Sequence, residues 1–215
     1  MILDTVAPNP PFVLSRSLMV EADADTTMEA LLTADLMGGS IVRLLTWARD
    51  LPNRLMARVR RQPVSRVPRE VTFGDLPDSG TFKVLGTKQG DQYVAGAIGR
   101  FWQRDYGWVD FDPEGFADFD EPGYAKTVIG FHAVPRGTGR TLLTYESRTV
   151  TTDDEAHRRF KRYWTVLQPF VAMMQCSALR SIAREAEASS RSEEAEVIAL
   201  HRDVPTSPAM TRVAR

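Results

Sequence analysis

Between Asp153 and Glu187, apolar side chains recur at helical spacing without a break: Phe160, Tyr163, Trp164, Leu167, Phe170, Val171, Met174, Ala178, Leu179 and Ile182. At ~1.5 Å per residue, such a helix is about 50 Å long, and an apolar stripe of that length needs other elements to cover it. Thr151 and Thr152 open it, and Asp153, Asp154 and Glu155 complement its positive N-terminal end. Pro169 sits inside the pattern and cannot donate a backbone hydrogen bond, which predicts a kink near Thr165 to Pro169.

The covering elements read as a sheet. From about Val71, short β-prone runs are separated by Gly, Pro and Asp, the pattern of an antiparallel meander. The expected strands are Val71 to Leu76, Phe82 to Thr87, Gln92 to Gln103, Gly107 to Phe111, Ala125 to Pro135 and Arg140 to Thr149. Arg136-Gly137-Thr138-Gly139 is the clearest hairpin turn. Upstream, Phe12 to Ala22 predicts a first strand, which makes about seven. Asp25 or Thr26, with Glu29 placed for a capping box, then opens a helix over Met28 to Leu36. Gly38-Gly39 stops it, and Ser40 caps a second helix over Ile41 to Arg49. Residues 1–11 carry Pro8, Pro10 and Pro11 and read as a loose leader, residues 12–187 as one domain, and the polar stretch 188–215 as mostly a tail, with Val197, Ile198 and Leu200 able to extend the helix briefly.

Charge narrows the partners. With 27 basic residues against 28 acidic, the formal net charge is -1, so no overall field draws the chain to nucleic acid. Arg54 to Arg69 is rich in arginine and could touch RNA or lipid headgroups, but a solvated face explains it as well. No run approaches the ~20 apolar residues that cross a bilayer, so a cytoplasmic protein with no stable membrane insertion is expected. The single cysteine, Cys176, rules out an intramolecular disulfide, and its setting Met-Met-Gln-Cys-Ser-Ala-Leu is that of a packing residue. His132, His157 and His201 make no metal spacing, so no metal and no cofactor are expected. A homodimer is compatible with all of this.

One strand, two short helices, a six-stranded meander and a long C-terminal helix is the order of the helix-grip fold. The chain resembles the START-like, Bet v 1-like superfamily (SRPBCC) that includes polyketide cyclases, over about residues 12–187. Stretches that carry the resemblance are Gly96-Ala-Ile-Gly99-Arg100-Phe101-Trp102, Phe119-Asp120-Glu121-Pro122-Gly123-Tyr124-Ala125-Lys126, Tyr145-Glu146-Ser147-Arg148 and Phe160-Lys-Arg-Tyr163-Trp164-Thr-Val-Leu167-Gln168-Pro169-Phe170. The resemblance implies an α+β fold with a curved antiparallel sheet wrapped round the C-terminal helix. It also implies a mostly apolar cavity between them for a lipid, a polyketide or a similar hydrophobic small molecule. A common reaction is not implied, because one fold hosts many activities.

Within that cavity the residues expected to meet ligand are Arg100, Trp102 and Arg148 from the sheet and Tyr163, Leu167, Phe170 and Met174 from the helix. On a strand, Arg100 and Trp102 share one face, and an inward Arg100 could hold a carboxylate or phenolate; the alternative is a surface arginine or a pair with Glu146. Glu146 and Arg148 also share a face. Glu146, if buried, could act as a general acid or base, while pairing with Arg148 or a neighbouring strand is the structural alternative. His132 is the one histidine on an expected strand and a second candidate for proton transfer. The acidic, aromatic stretch from Trp108 to Glu121 does not have calcium-loop spacing and reads as a lid over the cavity mouth. Three functions remain open: a carrier of a hydrophobic molecule, a cyclase or dehydratase using Glu146, His132 and Arg100, or an interaction module with a collapsed cavity.

Overall fold

The turn at Arg136 to Gly139 joins strand β4 (Ala125–Pro135) to β5 (Thr141–Thr151). Gly137 and Gly139 adopt φ of 84° and 65°, left-handed values at which any other residue would be strained. The computed structural model describes residues 1–34, 82–88, 90–103 and 105–202, with side chains described through residue 195. Around the hairpin, β1 (Phe12–Val20), β2 (Lys83–Lys88) and β3 (Gln92–Gly99) complete an antiparallel sheet of order β1-β5-β4-β3-β2.

Five strands are thus described where about seven are expected. Val71 to Leu76, the helix over Ile41 to Arg49 and the arginine-rich stretch from Arg54 lie outside the described residues. Gly107 to Phe111 does not form a strand, and only Val109 bridges to Ile98. Tyr106 and Gly107 both take positive φ, so the chain turns there instead of extending. β3 likewise stops at Gly99, because the Arg100 amide donates to the Tyr106 carbonyl at 2.6 Å and closes a loop.

Among the described residues three α-helices accompany the sheet. The leader is not loose: Ile2–Val6 forms a short helix, α1, with Leu3 buried. Helix α2 (Ala24–Thr33) starts earlier than expected, because Asp23 rather than Asp25 or Thr26 caps it, its side chain accepting from the Thr26 amide at 2.9 Å. The long helix α3 runs Asp154–Arg202 as one element that includes Pro169 and continues beyond Glu187, where a tail was expected to begin. Asp153 caps it, accepting from the amides of Ala156 at 2.7 Å and of Gly123. The stretch past Glu187 is rich in Ala, Glu and Arg, good helix formers that continue a helix already nucleated.

Pairing register sorts the side chains into two faces. Leu14 lies opposite Ser147, Ser147 opposite Ile129 and Ile129 opposite Ala95, and all face α3. On this inner face Tyr93, Phe131, Leu143 and Tyr145 pack with Ala178, Leu179, Ile182 and Ala186 of α3 and with Ala30 and Leu31 of α2. The other face is covered too. Val94, Ile98 and Val128 bury against Leu3 and Ala7 of the N-terminal segment and against Phe116. There Leu3 occupies the space above Gly130, where an added Cβ would sit 2.5 Å from its Cδ1.

Candidate functional site

Helix α3 is pinned to the inner face at two points. At the first, the buried Phe160 ring lies 4.8 Å from Phe12, with Phe101, Trp102, Tyr163 and Trp164 around it at 5.8 to 6.4 Å. At the second, the fully buried Gln175 donates through Nε2 to the Leu14 carbonyl at 3.2 Å and to Ser147 Oγ at 3.3 Å. A carbonyl can only accept, which places the amide nitrogen, not the oxygen, on that side of Gln175.

About four helical turns separate the two anchors, and apolar side chains of α3 between them are only partly buried among the described residues. Trp164, Leu167 and Val171, on the same side of α3 as Gln175, are only half-buried. Facing them, two cross-strand rows run over the sheet: Phe12, Thr149, Thr127, Ala97 at the first anchor, and Leu14, Ser147, Ile129, Ala95 at the second. Most of these side chains are small. Thr127, in the central strand, stays partly exposed although its face is turned inward, and its hydroxyl meets that of Thr149 at 2.8 Å. The region between the anchors is the candidate site.

Its chemistry is neutral. On the inner face of β2, β3, β4 and β5 no described residue carries a charge. Arg16 of the edge strand β1 falls on that side but is exposed, its guanidinium on the Ser15 carbonyl. His157 lies at the first anchor, its ring 4.9 Å from Phe12 and its Nδ1 3.5 Å from Thr151 Oγ1. Burial pushes the phenol of Tyr145 far above its ordinary value, so it stays protonated on the inner face. Among the described residues three buried side-chain atoms have no hydrogen-bond partner: Gln175 Oε1, Trp102 Nε1 and Arg100 Nε.

The residues expected to do chemistry are elsewhere. Glu146 and Arg148 alternate with Tyr145 and Ser147 and so lie on the outer face, where the Arg148 guanidinium bonds Glu146 at 2.5 Å and Asp4 of α1 at 2.8 Å. Burial alone would lower the Arg148 pKa, but the hydrogen bonds to Glu146 and Asp4 outweigh it and raise it. His132 is on the same outer face, its Nε2 2.8 Å from Asp91, which Lys88 also contacts at 2.7 Å. Hydrogen bonding to Lys88 holds the Asp91 carboxyl below its ordinary range.

Arg100 does not pair with Glu146. Beyond the end of β3 it stacks on Tyr124 at 4.3 Å, separated from Trp102 by the turn. Trp102 and Tyr163 do meet at the Phe160 anchor. Phe170 and Met174 do not face that region: at about 100° per residue they turn well away from Gln175, and with Val166, 70% exposed, and Met173 they form an exposed apolar strip. The loop expected to be a lid packs instead on the outer face through Phe116, because Gly96 leaves room there for its ring. Lys126 reaches from that face to the Ala117 carbonyl at 2.7 Å. Gln175 was not singled out from sequence, although an amide at a core position between Val171 and Ala178 was a visible signal. Cys176, beside it, is half-buried and free.

Among the described residues no group of His, Cys, Asp and Glu could hold a metal ion, and no helix is long and apolar enough to cross a membrane. No protein-family model matches the sequence, and no curated protein is similar to it. Several solved structures are distantly alike in shape. A protein from Mesorhizobium loti is similar over 82% of this chain and 98% of its own, with a TM-score of 0.39 and 10% identity. An aromatase/cyclase from Streptomyces matches over 82% and 93%, at TM-score 0.31 and 15% identity. Norcoclaurine synthase from Thalictrum flavum matches over 80% and 91%, at TM-score 0.34 and 13% identity. Likeness of this degree carries no argument about activity, and the site must be read from its own residues.

Proposed function

We propose that the protein holds a hydrophobic small molecule between the inner face of its sheet and the middle of α3. The observation that carries this reading is the pair of anchors, Phe160 on Phe12 and Gln175 on Leu14, with half-buried apolar side chains and small strand residues between them. Half-buried apolar side chains such as Trp164 and Leu167, together with the partly exposed Thr127 on the inner face, are surfaces that a bound apolar molecule would cover. Trp102, Tyr163 and Leu167 are the side chains proposed to contact it.

Binding is favoured over catalysis, since Glu146 and His132 both have partners on the opposite face and neither is available to a molecule in that region. Mass spectrometry of the purified protein, run first intact under native conditions and then after denaturing extraction, tests the reading. A stoichiometric hydrophobic molecule released on denaturation is the expected result. Absence of any such molecule, together with no saturable uptake of the neutral dye Nile red, would refute it.

A further inference from the structure

We propose that the outward face of α3 docks on an anionic membrane surface, lying on it without crossing it. The inference is independent of what the inner face of the sheet holds. At about 100° per residue, the exposed Val166, Phe170 and Met173 fall within an arc of about 80° that also takes in Arg159, Arg162, Arg180 and Arg184. The buried Gln175 lies on the opposite side of the helix. Apolar side chains are thus bracketed by a pair of exposed arginines before them and another pair after them, over about 38 Å of helix.

Charge selects the occupant of this face. From Ala156 to Arg184 the sequence has no Asp or Glu and six Lys and Arg, in a chain whose formal net charge is -1. Glu155, just before that stretch, bonds Arg158 and Arg159 within the helix, while Arg162, Arg180 and Arg184 enter none of the described ion pairs. A second copy docked by the same face would set arginine against arginine, a like-charge contact that is costly. The chain's own stretch from Arg54 to Arg69 is also rich in arginine and would be repelled in the same way. An acidic protein would satisfy the arginines, but Val166, Phe170 and Met173 stand on one convex helix face, which suits a broad deformable surface. An anionic bilayer meets both needs: its headgroup phosphates and carboxylates take the arginines, and the apolar layer just beneath takes the strip.

Flotation of the full chain with lipid vesicles tests the proposal. Phosphatidylcholine vesicles with about 30% phosphatidylserine should carry the protein at about 0.1 M salt, and about 0.5 M salt should release it by screening. Vesicles of phosphatidylcholine alone should carry little. Arg162→Gln and Arg180→Gln should each weaken the partition about fivefold, and Phe170→Ser about tenfold. In Met173→Trp, the difference spectrum against the native chain should show a blue-shifted indole on anionic vesicles, which locates the contact at the strip. The lipid and salt comparisons need no variant to be folded. Equal binding to both kinds of vesicle, or binding to neither, would overturn the proposal, and so would undiminished binding after both arginines are replaced. Capture of poly-glutamate without capture of vesicles would give the strip to an acidic protein instead. A dimer seen by sedimentation and abolished by Phe170→Ser, with no vesicle binding, would give it to a second copy, and loss of stability in Phe170→Ser with no vesicle binding would give it to the chain itself.

Discussion

If Leu3 fills the depression at Gly130, the two positions must be energetically coupled, and a double-mutant cycle measures by how much. Leu3 is almost wholly buried on the outer face, and its truncation in Leu3→Ala removes apolar burial together with part of the docking of α1, at a cost of about 2 kcal/mol. In Gly130→Ala the new methyl would stand 2.5, 2.8 and 3.0 Å from three carbons of the Leu3 side chain, so that side chain must be displaced from the sheet. The loss is then the same burial, again about 2 kcal/mol. In the double variant the methyl enters space that Leu3 has vacated, and the total should remain near 2 kcal/mol instead of about 4, a coupling of about 2. Urea unfolding followed by circular dichroism, with unchanged slopes, gives each value. Additive costs, or a neutral Gly130→Ala in the native chain, would refute the packing. They would also undermine the assignment of faces that puts Glu146 and His132 outside the candidate site.

The remaining predictions concern that assignment and the charges. Glu146→Gln and His132→Gln should each leave the affinity for Nile red within about twofold of the native chain, whereas Glu146→Gln should lower stability by about 1 kcal/mol through the loss of its charged bond to Arg148; calorimetry and the dye titration together separate the two effects. Acid should unfold the protein through its caps. Asp23 and Asp153 are held below the ordinary aspartate value near 4, chiefly by the backbone amides of Thr26 and Ala156, and Asp91 by the Lys88 ammonium. A depressed carboxyl stabilises above its unfolded value and loses that contribution as pH falls through its folded value. Urea midpoints should accordingly be flat from pH 7 to about 5 and decline below about 4, and Asp153→Asn should weaken the decline.

Much of the architecture was readable from periodicity alone. The β4 limits agree with the expected Ala125 to Pro135, and Phe160, Ala178, Leu179 and Ile182 of the apolar repeat are core residues of α3, whereas Phe170 and Met174 of the same repeat are exposed. What periodicity could not supply was which side of the sheet faces the helix. Alternation separates Tyr145 and Ser147 from Glu146 and Arg148, but it identifies the inner set only when the other face meets water. Here the outer face is also covered, so β3 reads as an unbroken buried run from Gln92 to Gly99 with no polar side to orient it. The cover itself was hidden, since α1 has five residues and stands just before a proline-rich stretch, too short to show a helical period. The site suffered most from this ambiguity, because a buried acid and base on a strand suggest chemistry only if they face the cavity.

The described ion pairs that involve strand residues, those of Lys83, Lys88, His132, Glu146 and Arg148, all lie on the outer face, and the inner face has none. Tolerance of the two faces to change is therefore unequal in kind. Substitutions among Ala95, Ala97, Thr127 and Leu167 would alter shape and fit without disturbing any charge network, while those on the other side would alter how the N-terminal helix is clasped. On the proposed reading, a lineage of such chains could diversify what it binds while keeping one scaffold, because one side of a single sheet would set the fit.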